Sequence, residues 1–123
     1  MKSKYLRDIG CEYSYDNDER KEQFEQEREL YGIASHDTWN LDISFIEFIY
    51  ISFKMYNEIN CINTHFYKIN IEDEEWDIQQ AIDYIIEISK KYLIERKNDF
   101  LNYEKISDKF YKVLKTVMPF MWW

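Results

Sequence analysis

The sequence predicts an all-α fold, a compact bundle of about four helices with an irregular N-terminal arm, and three observations predict it. Glycine occurs twice and proline once in 123 residues. That is too few for the many tight turns of a β-sandwich or barrel. Apolar residues make up 46% of the chain, enough surface to offset the entropy of ordering and so to exclude a disordered chain. Long stretches also repeat their apolar residues with the period of a helix. The length suits one domain, and neither an internal repeat nor an interdomain linker is visible across 1–123.

The elements follow in chain order. Residues 1–15 show no clear period and read as an irregular arm. Residues 16–31 are dominated by charge, with Phe24, Leu30 and Tyr31 as the few apolar anchors. Such composition favours a surface helix, and Gly32 stands where a left-handed C-terminal residue belongs. Ser35, Asp37 and Thr38 supply cap candidates for a helix over 38–59. That helix has two apolar faces, one with Leu41, Phe45, Phe48, Ile49, Met55, Tyr56 and Ile59, the other with Ile43, Ile46, Tyr50 and Phe53. A helix apolar on two sides is expected at the centre of a bundle. The Asn-rich stretch 57–70 reads as a connection holding a short extended piece at His65–Ile69.

The carboxylates of Glu72, Asp73, Glu74, Glu75 and Asp77 then suit the first turn of a helix over 73–97, where the dipole favours negative charge. Lys90, Lys91, Arg96 and Lys97 gather toward its other end. A last helix over 102–118 turns Ile106, Phe110, Val113, Leu114 and Val117 inward and Lys105, Lys109, Lys112 and Lys115 outward. Pro119 stops it, leaving the apolar tail Phe120-Met121-Trp122-Trp123.

The formal charge of −8 is unevenly spread. Residues 72–95 hold 8 acidic and 2 basic groups, whereas 96–123 hold 3 acidic and 6 basic ones. An acidic chain repels a phosphate backbone, so direct nucleic-acid binding is not expected. With glycine only at 10 and 32, a Gly-rich phosphate loop is excluded. Cys11 and Cys61 form no disulfide framework and suit a reducing compartment. The N-terminus lacks the apolar core of a signal peptide, and Leu41–Phe53 is too short and too charged to span a bilayer. A cytoplasmic protein without membrane contact is expected.

Candidate chemistry is sparse. Cys61 and His65 lie one helical turn apart, but neither His36 nor Cys11 completes a recognisable zinc spacing. No Glu precedes either histidine by three residues, which excludes the di-metal bundle motif. No metal, cofactor or catalytic set is therefore expected, and the protein is read as a non-enzyme. The candidate partner-binding residues are the carboxylates of Glu22, Glu25, Glu29, Asp37, Asp42, Glu72, Asp73, Glu74, Glu75 and Asp77 with the aromatics Trp39, Trp76, Trp122 and Trp123. Clustered charge of one sign complements a basic groove, and tryptophan is the commonest interface anchor.

Ser35-His36-Asp37-Thr38-Trp39-Asn40-Leu41-Asp42, the apolar run to Tyr56-Asn57-Glu58, the later Glu74-Glu75-Trp76-Asp77 and the Trp-rich end carry a resemblance. Over about residues 32–123 the chain resembles a group of small phage and prophage proteins without assigned activity. It departs from them after Ile51, at Ser52-Phe53-Lys54-Met55-Tyr56 where they carry Pro and basic residues, and its acidic region 1–31 is an addition. The resemblance implies a helical fold and a viral source. Together these readings lead to an expected phage-encoded anti-defence inhibitor, such as an anti-CRISPR protein, in the cytoplasm of the infected host. Its expected partner is a host protein such as a nuclease with a basic nucleic-acid channel. The alternatives are a protein that sequesters nucleotides and a structural virion component; a homodimer is left open.

Overall fold

In the computed structural model, which describes residues 1–59 and 67–121, the chain is mostly helical but not a pure four-helix bundle. Among the described residues, five α-helices and one two-stranded sheet follow in order: α1 (Lys4–Asp8), α2 (Lys21–Tyr31), α3 (Leu41–Ile59), β1 (Lys68–Ile71), β2 (Glu74–Asp77), α4 (Ile78–Asn98) and α5 (Asp108–Val117). Short 3-10 turns at Ser35–Thr38 and Met118–Phe120 precede α3 and follow α5. Cys61, His65, Trp122 and Trp123 lie outside the described residues. No helix among the described residues is long and apolar enough to cross a membrane.

The principal contact is between α3 and α4. They run antiparallel: the Tyr92 hydroxyl of α4 donates to Asp42 at the start of α3, and Gln79 donates to Asn57 near the opposite end at 2.7 Å. Ile46, Ile49, Tyr50 and Phe53 pack against Ala81, Ile82 and Ile85, while Phe110, Val113 and Val117 of α5 close the core. Phe110, Val113 and Val117, at helical spacing, match the inward face expected of the last helix.

The N-terminal arm is not irregular throughout. Ser3 caps α1 by accepting the Tyr5 N–H at 3.2 Å, and the helix ends on Gly10 at φ 70°. The Cys11 N–H reaches the Leu6 carbonyl at 2.8 Å and the Gly10 N–H reaches that of Arg7 at 3.0 Å. That pair of bonds is a Schellman ending, which needs a left-handed residue at this position. Leu6 and Tyr5 are thereby delivered into the core. Gly32 ends α2 as expected, at φ 81°.

The acidic segment 72–77 does not open a helix. Lys68–Ile71 and Glu74–Asp77 form an antiparallel hairpin in which Ile69 faces Trp76 and Ile71 faces Glu74. Ile69, Ile71 and Trp76 are buried, an alternation that a helix cannot produce. Glu72 and Asp73 form the two-residue turn with φ of 50° and 66°, the pair of positive values that a type I′ turn requires. The expected dipole pairing is replaced by a single cap: Asp77 accepts the Gln80 N–H at 2.6 Å, and α4 starts at Ile78. The last helix also begins later than 102, because Ser107 is its cap.

Nor is α3 covered on both sides. Its second face is in the core, but Leu41, Phe45, Phe48, Met55 and Ile59 of the first are exposed. Of these, Phe45 borders a cavity shared with Tyr103, Ile106 and Tyr111.

Two stability measurements test these assignments. Leu6→Ala should cost about 2–5 kcal/mol in chemical denaturation, the usual loss for a buried leucine; a cost under about 1 kcal/mol contradicts α1 as part of the core. The double change E72N/D73G should raise stability by roughly 1 kcal/mol by relieving left-handed strain, and a loss of stability contradicts the type I′ turn.

Candidate partner-binding site

The region from Tyr13 to Glu47 brings aromatic, acidic and cavity features together around one turn. Asp18 begins it, accepting the Arg20 backbone N–H at 2.8 Å and the Arg20 guanidinium at 3.0 Å. These charge-assisted bonds hold the half-buried Asp18 carboxyl at about 2. Arg20 is thus fixed over two rings, 4.8 Å from the centre of Trp39 and 5.3 Å from that of Phe24. Phe24 is the one buried residue of α2, so the helix is an amphipathic lid with a narrow apolar edge.

His36 sits at the centre of the aromatic group. It stacks on Tyr13 at 4.8 Å with the rings 10° apart and lies 4.8 Å from Trp39. Tyr15 and Phe24 complete the surround. Asp37, beside it, is buried and spoken for: it receives Arg28 at 2.8 Å and the Ala34 N–H at 3.0 Å. Arg28 in turn donates to the Tyr15 hydroxyl at 2.8 Å. Ser44 ties this turn to α3 by donating to the Asp37 carbonyl at 2.6 Å. A buried ion pair of this kind holds geometry, since removing either partner strands the other charge.

Between the turn and α3 lies a half-open cavity of about 390 Å³, lined by Tyr13, His36, Trp39, Asn40, Ile43 and Glu47 among others. Trp39 is 54% exposed and forms its lip. Glu47 is 6% exposed, and its Oε2 accepts no hydrogen bond. Burial pushes its carboxyl above the ordinary value, against the pull of the Met1 amino group 3.5 Å away. A cation at that distance is what a desolvated carboxylate lacks elsewhere.

The other expected site residues are distributed differently. Glu22, Glu25 and Glu29 face solvent on α2, with Glu25 3.9 Å from Lys21. Asp42 is committed to Tyr92 and to Arg96 at 3.5 Å. Burial raises its carboxyl, but these partners outweigh that and leave it below its ordinary value. Asp73 and Glu75 are exposed on the hairpin, where Glu72 lies 3.3 Å from Lys112. Trp76 is 6% exposed, packs on Tyr84 and donates to Glu74 at 3.3 Å. Its burial, with Lys109 5.3 Å over the ring, makes it an internal anchor and not a platform for a ligand. Asp77 is the cap of α4.

The two acidic groups are not brought together. The α2 group contacts the turn before α3, whereas the hairpin precedes α4 and lies at the other end of the antiparallel pair. Nineteen residues of α3 separate them, roughly 28 Å of helix. Tyr13, His36, Arg20 and Glu47 were not among the candidates read from the sequence, because their convergence joins four separate segments. A charged residue on an otherwise core-facing stretch of α3 was the available signal for Glu47. Among the described residues no three of His, Cys, Asp and Glu are placed to hold a metal ion. Compared with protein-family models, curated proteins and solved structures, the chain matches none.

The sign of the Glu47 linkage is testable. A carboxyl raised in the folded state binds more protons there than in the unfolded chain. Its contribution is therefore favourable in acid and is lost as pH rises from the ordinary carboxylate value through the raised one. Glu47→Gln should raise the melting temperature at pH 7 and leave it nearly unchanged at pH 4. A destabilised variant at pH 7 would show that the Met1 contact outweighs burial.

Proposed function

We propose that this chain is a non-enzymatic binding protein that engages a basic host protein through its α2 end. The observation that carries this reading is the cavity over Glu47, with Trp39 at its lip and the solvent-facing Glu22, Glu25 and Glu29 on the adjoining helix. An exposed tryptophan beside a concave surface is the usual anchor of an interface. Carboxylates around it steer a positively charged partner and favour it over acidic ones. A lysine or arginine side chain of that partner enters the cavity beside Trp39, adding to the Met1 amino group that stands 3.5 Å from Glu47.

A nucleic-acid-binding enzyme presents such side chains along its channel, and the likeness to small phage proteins favours a partner of that class in an infected cell. The function is then that of an inhibitor occupying the channel, an anti-defence role. The buried carboxylate disfavours the nucleotide-sequestering alternative, since a phosphate repels it. The hairpin carboxylates, at the far end of α3, are outside this surface.

The reading is tested with the host protein captured by the tagged wild-type chain. Trp39→Ala should weaken that complex roughly 30-fold, the effect of losing about 2 kcal/mol at a central aromatic anchor. The triple reversal E22K/E25K/E29K should slow association and flatten its salt dependence, whereas reversal of Asp73 and Glu75 leaves binding unchanged. Equal binding by the wild type and the Trp39 variant overturns the proposal, as does loss of binding on reversing the hairpin alone.

A further inference from the structure

The outward face of α3 has a regular spacing. Leu41, Phe45, Phe48, Ser52, Met55 and Ile59 follow one another at steps of four, three, four, three and four residues. Alternating steps of three and four define the seam of a coiled coil, where one helix inserts its side chains between those of another. The five large members of the series are all exposed, Phe48 by 59%. A contiguous apolar strip of this kind is rare on a lone soluble domain and marks an interface.

We infer that this face pairs with α3 of a second copy of the chain, antiparallel and about a two-fold axis. The series of steps reads the same from either end, so an antiparallel copy meets it in register. Leu41 then faces Ile59, Phe45 faces Met55, and Phe48 faces Ser52. The last pairing sets the bulkiest residue type against the smallest member of the seam, twice, on either side of the axis. A parallel pair instead sets ring on ring at Phe48 and leaves a gap between two Ser52 side chains, which is poor packing.

The flanking charges agree. In the antiparallel register Asp42 is opposite Tyr56 and Glu58 is opposite Ser44, so no like charges meet across the seam. Ile51, half-buried on the flank, meets its own counterpart near the axis. The strip and its flanks, taken over roughly 28 Å of helix, remove on the order of 1,000 Å² or more from water in the pair. That reaches the size of a specific interface. An isologous contact of this type closes on itself and stops at two copies.

The inference rests on α3 alone and not on the α2 site. The experiment is sedimentation equilibrium of the full chain over a dilution series, in low and high salt. The wild type is expected at twice the 15.4 kDa of one chain. Salt should tighten the dimer, because each copy carries a charge of −8 and screening reduces their repulsion. Binding of a basic partner at the α2 end should weaken in the same titration, which separates the two surfaces. F48E should run as a monomer with an unchanged far-ultraviolet circular dichroism spectrum, since the side chain it replaces is exposed. F48E/S52K should restore the dimer, as each introduced acid meets an introduced lysine of the other copy. Should F48E unfold, S52F serves instead and should weaken the dimer by setting two rings against each other. A wild type that stays monomeric at every concentration overturns the inference, and so does a dimer indifferent to F48E or S52F. A folded double variant that remains monomeric overturns the antiparallel register.

Discussion

Burial of the Ile46–Phe53 face of α3 against α4 is the contact on which the rest of the molecule depends. These two helices are the longest in the chain, and the remaining elements are placed by packing on them directly or through a neighbour. The hairpin leads directly into α4 through the Asp77 cap, α5 packs on α4 and on β1, and α1 lays Leu6 and Tyr5 against α3. The pair is locked at both ends by polar contacts, Tyr92 to Asp42 at one and Gln79 to Asn57 at the other. Because α3 is apolar around much of its circumference, one neighbour cannot cover it. The remainder, exposed among the described residues, is the seam assigned to a second copy.

The α2 end depends on the same pair at one remove. Ser44 anchors the Ser35–Thr38 turn to α3, and Asp37 passes that anchorage to α2 through Arg28. A short, highly charged helix with a single buried residue has little apolar burial of its own. Its position is set by ion pairs and ring contacts around His36, so the site is built on polar geometry fixed to an apolar scaffold. This separation lets the outward carboxylates of α2 vary without disturbing the core.

Much of the fold was legible residue by residue. The inward face of α5, the surface placement of α2 and its end at Gly32 follow from periodicity and local chemistry. Two segments misled for physical reasons. Glu72–Asp77 has the composition of a helix start, but its register is decided by Ile69 and Ile71 pairing across to Trp76 and Glu74. Residues 1–15 lack a visible period because α1 spans only Lys4–Asp8; Ser3 and Gly10, a cap and a left-handed stop, were its signals. At the candidate site Trp39 and the α2 carboxylates were recognisable as residue types. Asp37, Asp42 and Trp76 have the same types, yet partners elsewhere in the chain consume them.

Composition and periodicity make the chain mostly helical, end α2 at Gly32 and leave the helix before the hairpin apolar on two faces. These are local properties, set by period, propensity and capping within a few residues. Which carboxylates remain available, and which apolar face the other described elements leave exposed, depends on tertiary packing. Asp37 and Asp42 are removed by Arg28, Tyr92 and Arg96, residues 9 to 54 positions away in the chain. Glu47 acquires its raised carboxyl from burial under segments distant in the chain. Partnership and solvent access depend on which distant segments meet, and that information is carried by packing, not by composition.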